Sequence, residues 1–374
     1  MNIAEITTYR EGGAYTHVAE LVKGIKANIL IISGNTKKLG YHEEDGLTFF
    51  HIPAKLSIWD WYFINSIGSY KKVEKILKKH KIDLVHIHGP LFTFCDGLIR
   101  KIKTPRIMTI HYILKFKGNR ILTFLYNRFI RWITRYVAKK VDKVICVNEE
   151  HIPIFTSWGI ERKKIVFIPN GINTEKFSPG KSDIKRKLKC KNMVIFWGRL
   201  NYQKNVQTLL KAFNKIKIPN TNLVIIGRGS EEKKLKALAN KNENIVFTGY
   251  LPDDILLKYA RGADIAVLPS RGESWGLVIG EAMACGLPVI TSDVGIAKKL
   301  IGEDRGIILK KNNEDEMTEK IEYLLINKKL AEEMGKRARK FVKDKYSWDI
   351  ISKKTGDLYK TVIKQKKNTM QIQE

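Results

Sequence analysis

Short apolar runs rich in Ile and Val alternate along this chain with longer segments whose apolar residues recur at helical spacing. In the first half, Asn2–Thr8, Ile29–Ser33, Asp83–His88, Arg106–Ile110, Lys143–Asn148 and Ile165–Pro169 read as strands. In the second half, Met193–Trp197, Leu223–Ile226, Ile245–Thr248, Ile265–Leu268, Pro288–Thr291 and Gly306–Leu309 do the same. Helical segments fall between them, at Thr16–Gly24, Phe92–Lys101, Val206–Ile216 and Gly276–Gly286 among others. Such alternation predicts an α/β protein, because parallel strands need a crossover and a helix is the usual one. It restarts after the turn-rich stretch PNGINTEKFSP at 169–179, which reads as a linker between two doubly wound parallel sheets. The domains expected are 1–172 and 185–346, followed by a C-terminal helix at about 347–366 and a frayed Lys- and Gln-rich tail.

Two segments depart from this plain pattern. Ile58, Trp59, Trp61, Tyr62, Phe63 and Ile64 cluster ahead of a lysine-rich helix ending near His80, with Ser57 and Asp60 spaced as its capping box. Such a cluster suits the core, an acceptor groove or a lip that touches a membrane. Within 113–140, Leu122, Leu125, Tyr126, Phe129, Ile133, Tyr136 and Val137 form one helical stripe. Arg128, Arg131, Arg135 and Lys139 form a basic row on another side. A helix lying on an anionic membrane shows this pattern, and so does a core helix with a solvated basic face. Single-stranded nucleic acid would also meet basic and aromatic residues, but its recognition motifs are missing from the sequence, so nucleic acid is not an expected partner.

Composition changes the picture in one respect. The chain has 374 residues, 44% hydrophobic and 28% charged, which is ordinary for two soluble domains, but its formal charge is +30. That excess favours anionic partners and says nothing about fold. Cys95, Cys146, Cys190 and Cys285 are scattered without the close spacing of a zinc site or a disulfide framework. The opening MNIAEITTYREGG lacks the pattern of a signal peptide, and no apolar run reaches the roughly 18 residues of a membrane span. The expected location is the cytoplasm, including the cytoplasmic face of the membrane.

The candidate chemistry gathers on loops that follow strands. In 263–291, ADIAVLPSRGESWGLVIGEAMACGLPVIT, a strand leads through a polar loop into a helix and then a second strand. Glu273 lies in that loop and Glu281 in the helix, on either side of a helix N-terminus at Gly276. Free N–H groups there favour a phosphate, while a carboxylate is a good acceptor for sugar hydroxyls. Arg199 and Lys204 follow another strand, and two fixed cations suit a diphosphate leaving group whose charge grows as its bond to a sugar breaks. Gly227-Arg228-Gly229 also follows a strand, but without the third glycine of a dinucleotide fingerprint it supports a dehydrogenase only weakly. In the first half, Gly12-Gly13 forms a tight loop after the first strand, and His86, His88 and His111 stand at strand ends, where open α/β sheets place their ligands. A structural role within loops accounts equally for His86 and His88.

The ordered set resembles the family-four retaining glycosyltransferases of the GT-B fold. It comprises Gly12-Gly13, His86 and His88, Thr109-Ile110-His111, Pro169-Asn170-Gly171, Gly198-Arg199 to Lys204, Glu273-Ser274-Trp275-Gly276 to Glu281-Ala282, and Gly286-Leu287-Pro288-Val289. The resemblance implies two Rossmann-like domains facing a cleft, an acceptor-side first domain and a nucleotide-sugar-binding second one, with the C-terminal helix packing back on the first. It implies that Arg199, Lys204 and the backbone at Gly276 and Leu277 bind the donor diphosphate, that Glu281 meets the ribose, and that Glu273 meets the donor sugar. Tyr250 and Leu251 would meet the base, Gly13 would let its loop approach the phosphates, and His111 would lie near the reacting sugar. His111, Arg199, Lys204 and Glu273 are the catalytic candidates. Neither a metal nor a cofactor is expected beyond the nucleotide sugar as substrate, and no Asp-x-Asp occurs. The sequence departs from the family at Ser292-Asp293-Val294-Gly295, which bears on donor-sugar identity, and has Asn173 where aspartate is common. The reaction expected is transfer of a hexose-type sugar to a glycan or lipid-linked acceptor for cell-surface glycans, with an anionic membrane surface met through 113–140. A soluble sugar acceptor, a GT-B nucleotide-sugar epimerase and a non-enzymatic basic binding protein are the alternatives.

Overall fold

The computed structural model describes residues 1–7, 13–35, 40–44, 46–58, 62–65, 69–89, 102, 104–111, 119–239, 242–273 and 275–373. The expected helix Phe92–Lys101 lies outside these residues, as do Gly12, Trp59, Asp60 and Trp61. The chain forms two compact units, Met1–Gly171 with Trp348–Glu374, and Ile172–Ser347.

The first unit holds β1 (Asn2–Thr7), β2 (Asn28–Asn35), β3 (Gly40–Glu44), β4 (Leu47–Ile58), β5 (Tyr62–Asn65), β6 (Leu84–His88), β7 (Arg106–Ile110), β8 (Lys143–Cys146) and β9 (Ile165–Phe167). They pair in the order β3-β4-β2-β1-β6-β7-β8-β9, with β5 added on β4. Only β3 and β5 run antiparallel among these described strands. The aromatic stretch therefore differs from the expectation. Ser57 and Ile58 belong to β4, with Ile58 opposite Tyr62 of β5, and the lysine-rich helix begins only at Ser69. Ser57 does not cap it. Aromatic and β-branched side chains favour a pleated strand, and the β4–β5 ladder pairs Ser57 with Phe63 and Ile58 with Tyr62, away from the helix start.

Strand alternation sorts this sheet into two covered faces. Ala4, Ile6, Val85, Ile87, Met108 and Ile110 pack on one side with Ile130, Ile133 and Val137 of the helix Arg120–Lys140. Ile3, Leu84, Ile107 and Ile145 pack on the other with Leu21 of the helix Gly13–Lys23 and with Ile351, Tyr359 and Val362 of the helix Trp348–Gln373. The C-terminal helix thus runs through the tail expected to fray. By the same period of two, Glu5, His86, His88, Thr109 and His111 fall on the face that Tyr359 covers, and all are buried.

The second unit is an all-parallel sheet of β10 (Asn192–Trp197), β11 (Thr221–Ile226), β12 (Ile245–Gly249), β13 (Ile265–Leu268), β14 (Val289–Ser292) and β15 (Gly306–Leu309). Its order is β12-β11-β10-β13-β14-β15. Every residue of β10, β11, β13 and β14 is buried, as a sheet covered by helices on both faces requires. In each sheet the chain builds outward from a central strand and then returns to its other side. The reversals fall between β1 and β6 and between β10 and β13, and ligands of open α/β sheets bind at the carboxyl ends of such strands.

Tyr359 Oη donates to Glu5 Oε1 at 2.7 Å across the interface of β1 and the C-terminal helix. Tyr359→Phe leaves a buried carboxylate oxygen without this donor. Urea titration is expected to show about 1.5–3 kcal/mol less stability, the usual contribution of a hydrogen bond to a charged group.

Candidate active site

At the reversal in the second sheet, the loops after β10 and β13 are stitched together. Arg271 N–H donates to Gln203 O at 2.7 Å, Arg271 Nη1 donates to Tyr202 O at 2.8 Å, and the guanidinium lies 4.1 Å from the Tyr202 ring centre. Gly198 opens the first loop at φ +146°, a conformation that side chains rarely adopt. Asn201 accepts from Lys204 N–H at 3.2 Å and fixes the short turn Tyr202–Lys204. Lys204 Nζ forms an ion pair with Glu273 Oε1, which also accepts from Ser270 Oγ at 2.8 Å. Phe196, Trp197, Lys204, Ser270, Glu273 and Gly276 line one pocket. Gly276 has φ +91° at the start of the helix Leu277–Ala284, and no side chain caps that helix.

Glu281, a turn further on, accepts from Trp197 Nε1 at 3.1 Å. Burial raises its carboxyl above the usual range, against the pull of the Trp197 hydrogen bond. The charged form is therefore held by little besides one indole donor, and its remaining acceptor capacity suits a ligand hydroxyl. Arg199 is exposed at the start of the same β10 loop, and Tyr250 is 70% exposed after β12, beside half-buried Leu251. Neither Arg199 nor Tyr250 touches Lys204 or Glu273 in the described contacts. Sequence spacing thus brought Lys204, Glu273 and Gly276 into one pocket, with Leu277 next in line, and left Arg199, Tyr250 and Leu251 on neighbouring loops.

The Gly-Arg-Gly stretch has a packing explanation. A Cβ on Gly227 would lie 1.9 Å from Gly198 O, and one on Gly229 would lie 2.1 Å from Leu200 O. These glycines let the β11 loop press against the β10 loop. Gly295, where the sequence departs from the family pattern, has φ +58°, and a Cβ there would come 3.0 Å from Trp275 O and 3.3 Å from Glu273 Cβ. It shapes the backing of the pocket.

The reversal in the first sheet holds a different group. His88 Nε2 lies 2.8 Å from Glu5 Oε2, and His88 Nδ1 lies 3.1 Å from His111 Nε2. His86 Nδ1 is 3.0 Å from Glu5 Oε2 and 2.5 Å from Tyr359 Oη, with its Nε2 2.7 Å from Thr109 Oγ1. His17 stands edge-on to His111 with ring centres 4.8 Å apart, and its Nδ1 is buried without a partner among the described residues. The atoms of His17, His88 and His111, and those of Glu5, His86 and His88, lie within 4.8 Å of one another, close enough to ligate a metal. Hydrogen bonds already link most of them. Gly13 opens the helix that carries His17.

Two family descriptions match the chain: Glycosyltransferase Family 4 over residues 11–176 and Glycosyl transferases group 1 over residues 180–341. An uncharacterized glycosyltransferase of Methanocaldococcus jannaschii is 30% identical over 377 residues, covering 93% of this chain and 94% of the relative. The chain is a family-four glycosyltransferase. A phosphatidyl-myo-inositol mannosyltransferase of Mycolicibacterium smegmatis is 25% identical over 366 residues, 94% of this chain and 90% of that one. The crystal structure of Anabaena HepE in complex with UDP has a TM-score of 0.78 at 16% identity, covering 96% of this chain and 99% of that one. The glycosyltransferase therefore has the GT-B fold, with two Rossmann-like domains.

Sequence reasoning missed Glu5, His17, Trp197, Ser270 and Tyr359 in this glycosyltransferase. A carboxylate inside the apolar run NIAEIT was the available signal for Glu5, since a buried strand tolerates one only when it is partnered. Nothing local marks Tyr359.

Glu281 also sets a pH-dependent stability. Its folded pKa is raised, so its contribution is fully present below the unfolded value, 4.5, and is lost as pH rises through the folded value. Glu281→Gln is therefore expected to raise the melting temperature of the ligand-free enzyme at neutral pH. The gain should shrink to nothing as the pH falls to the usual carboxylate range, which differential scanning calorimetry across pH would read.

Proposed function

We propose that this glycosyltransferase transfers a hexose-type sugar, with retention of configuration, from a nucleoside diphosphate sugar to a glycan or lipid-linked acceptor in cell-surface glycan assembly. The observation that carries the donor reading is the pocket in which Lys204, Glu273 and the uncapped helix start at Gly276 meet. A cation and free amides suit a diphosphate, and a carboxylate beside them suits sugar hydroxyls. Lys204 and Glu273 pair with each other, and a bound donor gives each its own partner. Arg199 adds charge to the diphosphate, and the amides of Gly276 and Leu277 complete its cradle. Glu281 accepts from the ribose, the backbone at Tyr250 and Leu251 meets the base, and Gly13 leaves room for the phosphates. HepE, which shares the fold, was crystallised with UDP.

In this reading the bond from the anomeric carbon to the phosphate oxygen breaks, and the acceptor oxygen bonds the same face of that carbon. The departing phosphate oxygen takes the acceptor proton. Lys204 and Arg199 stabilise the growing charge, so no carboxylate nucleophile and no metal are needed. His111 is assigned to hydroxyls of the reacting sugar or acceptor.

A lipid-linked acceptor is supported by the helix Arg120–Lys140. Its fully buried residues all lie in the second half, at Ile130, Ile133, Thr134, Val137 and Ala138, with Tyr126 and Phe129 half-buried against the same core. Leu122 and Leu125 of the apolar stripe are 58% and 54% exposed, beside Ile121, Phe124 and Trp132 at 69%, 63% and 57%. Positions 121, 125, 128, 132, 135 and 139 fall on one helical stripe, so the exposed apolar side chains run into Arg128, Arg135 and Lys139. Apolar groups followed by cations fit an anionic bilayer surface. Among the described residues no helix is long and apolar enough to cross a membrane. The mannosyltransferase relative is named for a phosphatidylinositol acceptor.

A panel of UDP- and GDP-sugars, with membrane extract as acceptor and EDTA present, should release nucleotide from one donor. Lys204→Ala should lower that turnover by roughly 10²–10³-fold with little change in the thermal melt. No release from any donor would sink the reading. In a flotation assay the enzyme should rise with phosphatidylglycerol vesicles and stay down with phosphatidylcholine ones. Replacing Leu122, Leu125 and Trp132 by Ser should abolish the rise, and equal recovery on both vesicle types would remove the membrane from the proposal.

A further inference from the structure

The buried histidines of the first unit fix one another's protons. Burial would raise the Glu5 carboxyl, but His86 and His88, by charge and hydrogen bond, hold it well below the usual carboxylate range. Glu5 is therefore an acceptor only. The nitrogen facing it at 2.8 Å, His88 Nε2, must carry hydrogen. His88 is pushed down to about 4, by burial first and then by His86, against the pull of Glu5, so at neutral pH its Nδ1 is bare. At 3.1 Å from that bare nitrogen, His111 Nε2 must donate. His111 also lies well below the ordinary imidazole range, through burial first and then His17, His88 and His86. Its remaining nitrogen, Nδ1, is left as a lone pair with no hydrogen-bond partner among the described residues.

We propose that Glu5 is a positioning residue: through His88 it holds His111 in the Nε2–H tautomer, so that His111 Nδ1 is a bare acceptor for a hydroxyl of the reacting sugar or its acceptor. The last clause rests on the glycosyltransfer reading; the tautomer chain does not. Each group facing the relay supports one proton arrangement. On β1 stands Glu5; on β6 stand His86 and His88; after β7 stands His111. His17 on the helix Gly13–Lys23 is itself held well below its usual range, by burial first and then by His88 and His86, and so adds no charge against His111 at neutral pH. Tyr359, on the C-terminal helix, is pushed far above its usual range by burial and by Glu5, so it stays a donor to the carboxylate. A hydroxyl has one proton to give, and an acceptor-only nitrogen at a fixed place selects which way that hydroxyl points.

The test reads the tautomers directly. In the native chain with ring-15N histidine, two-bond 1H–15N spectra should show His88 and His111 both protonated at Nε2 and bare at Nδ1 from pH 8 to about 6. His111 protonated at Nδ1, or exchanging between both forms, would overturn the proposal. Glu5→Gln removes the charge and keeps the shape. It should turn both rings into tautomer mixtures and lower kcat tenfold or more, while KM for the donor from the nucleotide-sugar panel stays within twofold. Unchanged tautomers and kcat would refute the role of Glu5. Because the native spectra need neither a substrate nor a folded variant, an enzyme that turned over no donor would fail the transfer reading and leave the relay to be judged by the spectra.

Discussion

A carboxylate with no access to water stands in the middle strand of the first sheet, and much of that unit is arranged to keep it charged. An unpaired charge at the Glu5 position would cost several kcal/mol. Tyr359 of the C-terminal helix and His86 and His88 of β6 meet both of its oxygens. The cost of breaking this set falls on the docking of the C-terminal helix as well as on the histidines. Structure and site are coupled at one atom group, so the last helix of the chain is part of the architecture around His111.

The two sheets apply the same topological rule to different chemistry. Each reverses its winding beside a central strand, and the loops at that reversal are the ones whose backbones diverge enough to leave room for a ligand. In the second unit the room is bounded by Lys204, Glu273 and the helix start at Gly276, a charged and open-ended set. In the first unit the equivalent place holds Glu5, His86, His88 and His111 in one hydrogen-bonded set, with His17 Nδ1 left over. Glycines make the first kind possible: Gly227 and Gly229 bring one loop against the next, and Gly295 backs Glu273. The contacts of Gly227 and Gly229 are packing requirements of the β10 and β11 loops.

The helix Arg120–Lys140 carries the clearest conflict between local pattern and packing. Its apolar residues recur at helical spacing over its full length, yet the core beneath it covers Tyr126 and Phe129 only in part and buries side chains fully only from Ile130 onward. Ile121, Leu122, Phe124 and Leu125 then face solvent at a cost of roughly 25 cal/mol for each Å² left unburied. Helical periodicity reports that a stripe exists. It cannot say how much sheet lies under it.

Much of this protein was legible in its residues. The alternation of apolar runs and helical segments specified two parallel α/β sheets, because period two and period 3.6 are properties of neighbouring residues. The strand-end loops carrying Arg199, Lys204, Glu273 and His111 were legible for the same reason, as was the ordered motif set that matches the family. Tertiary structure alone decided the rest. Ile58 and, beyond it, Tyr62, Phe63 and Ile64 became strand because β4 and β5 lie side by side, and Lys204 separated from Arg199 because one turned to Glu273 and the other to solvent. Glu5 and Tyr359 stand 354 residues apart, with no shared periodicity to connect them. Burial and hydrogen bonding depend on which elements are folded against each other, and a pattern along the chain carries no record of that.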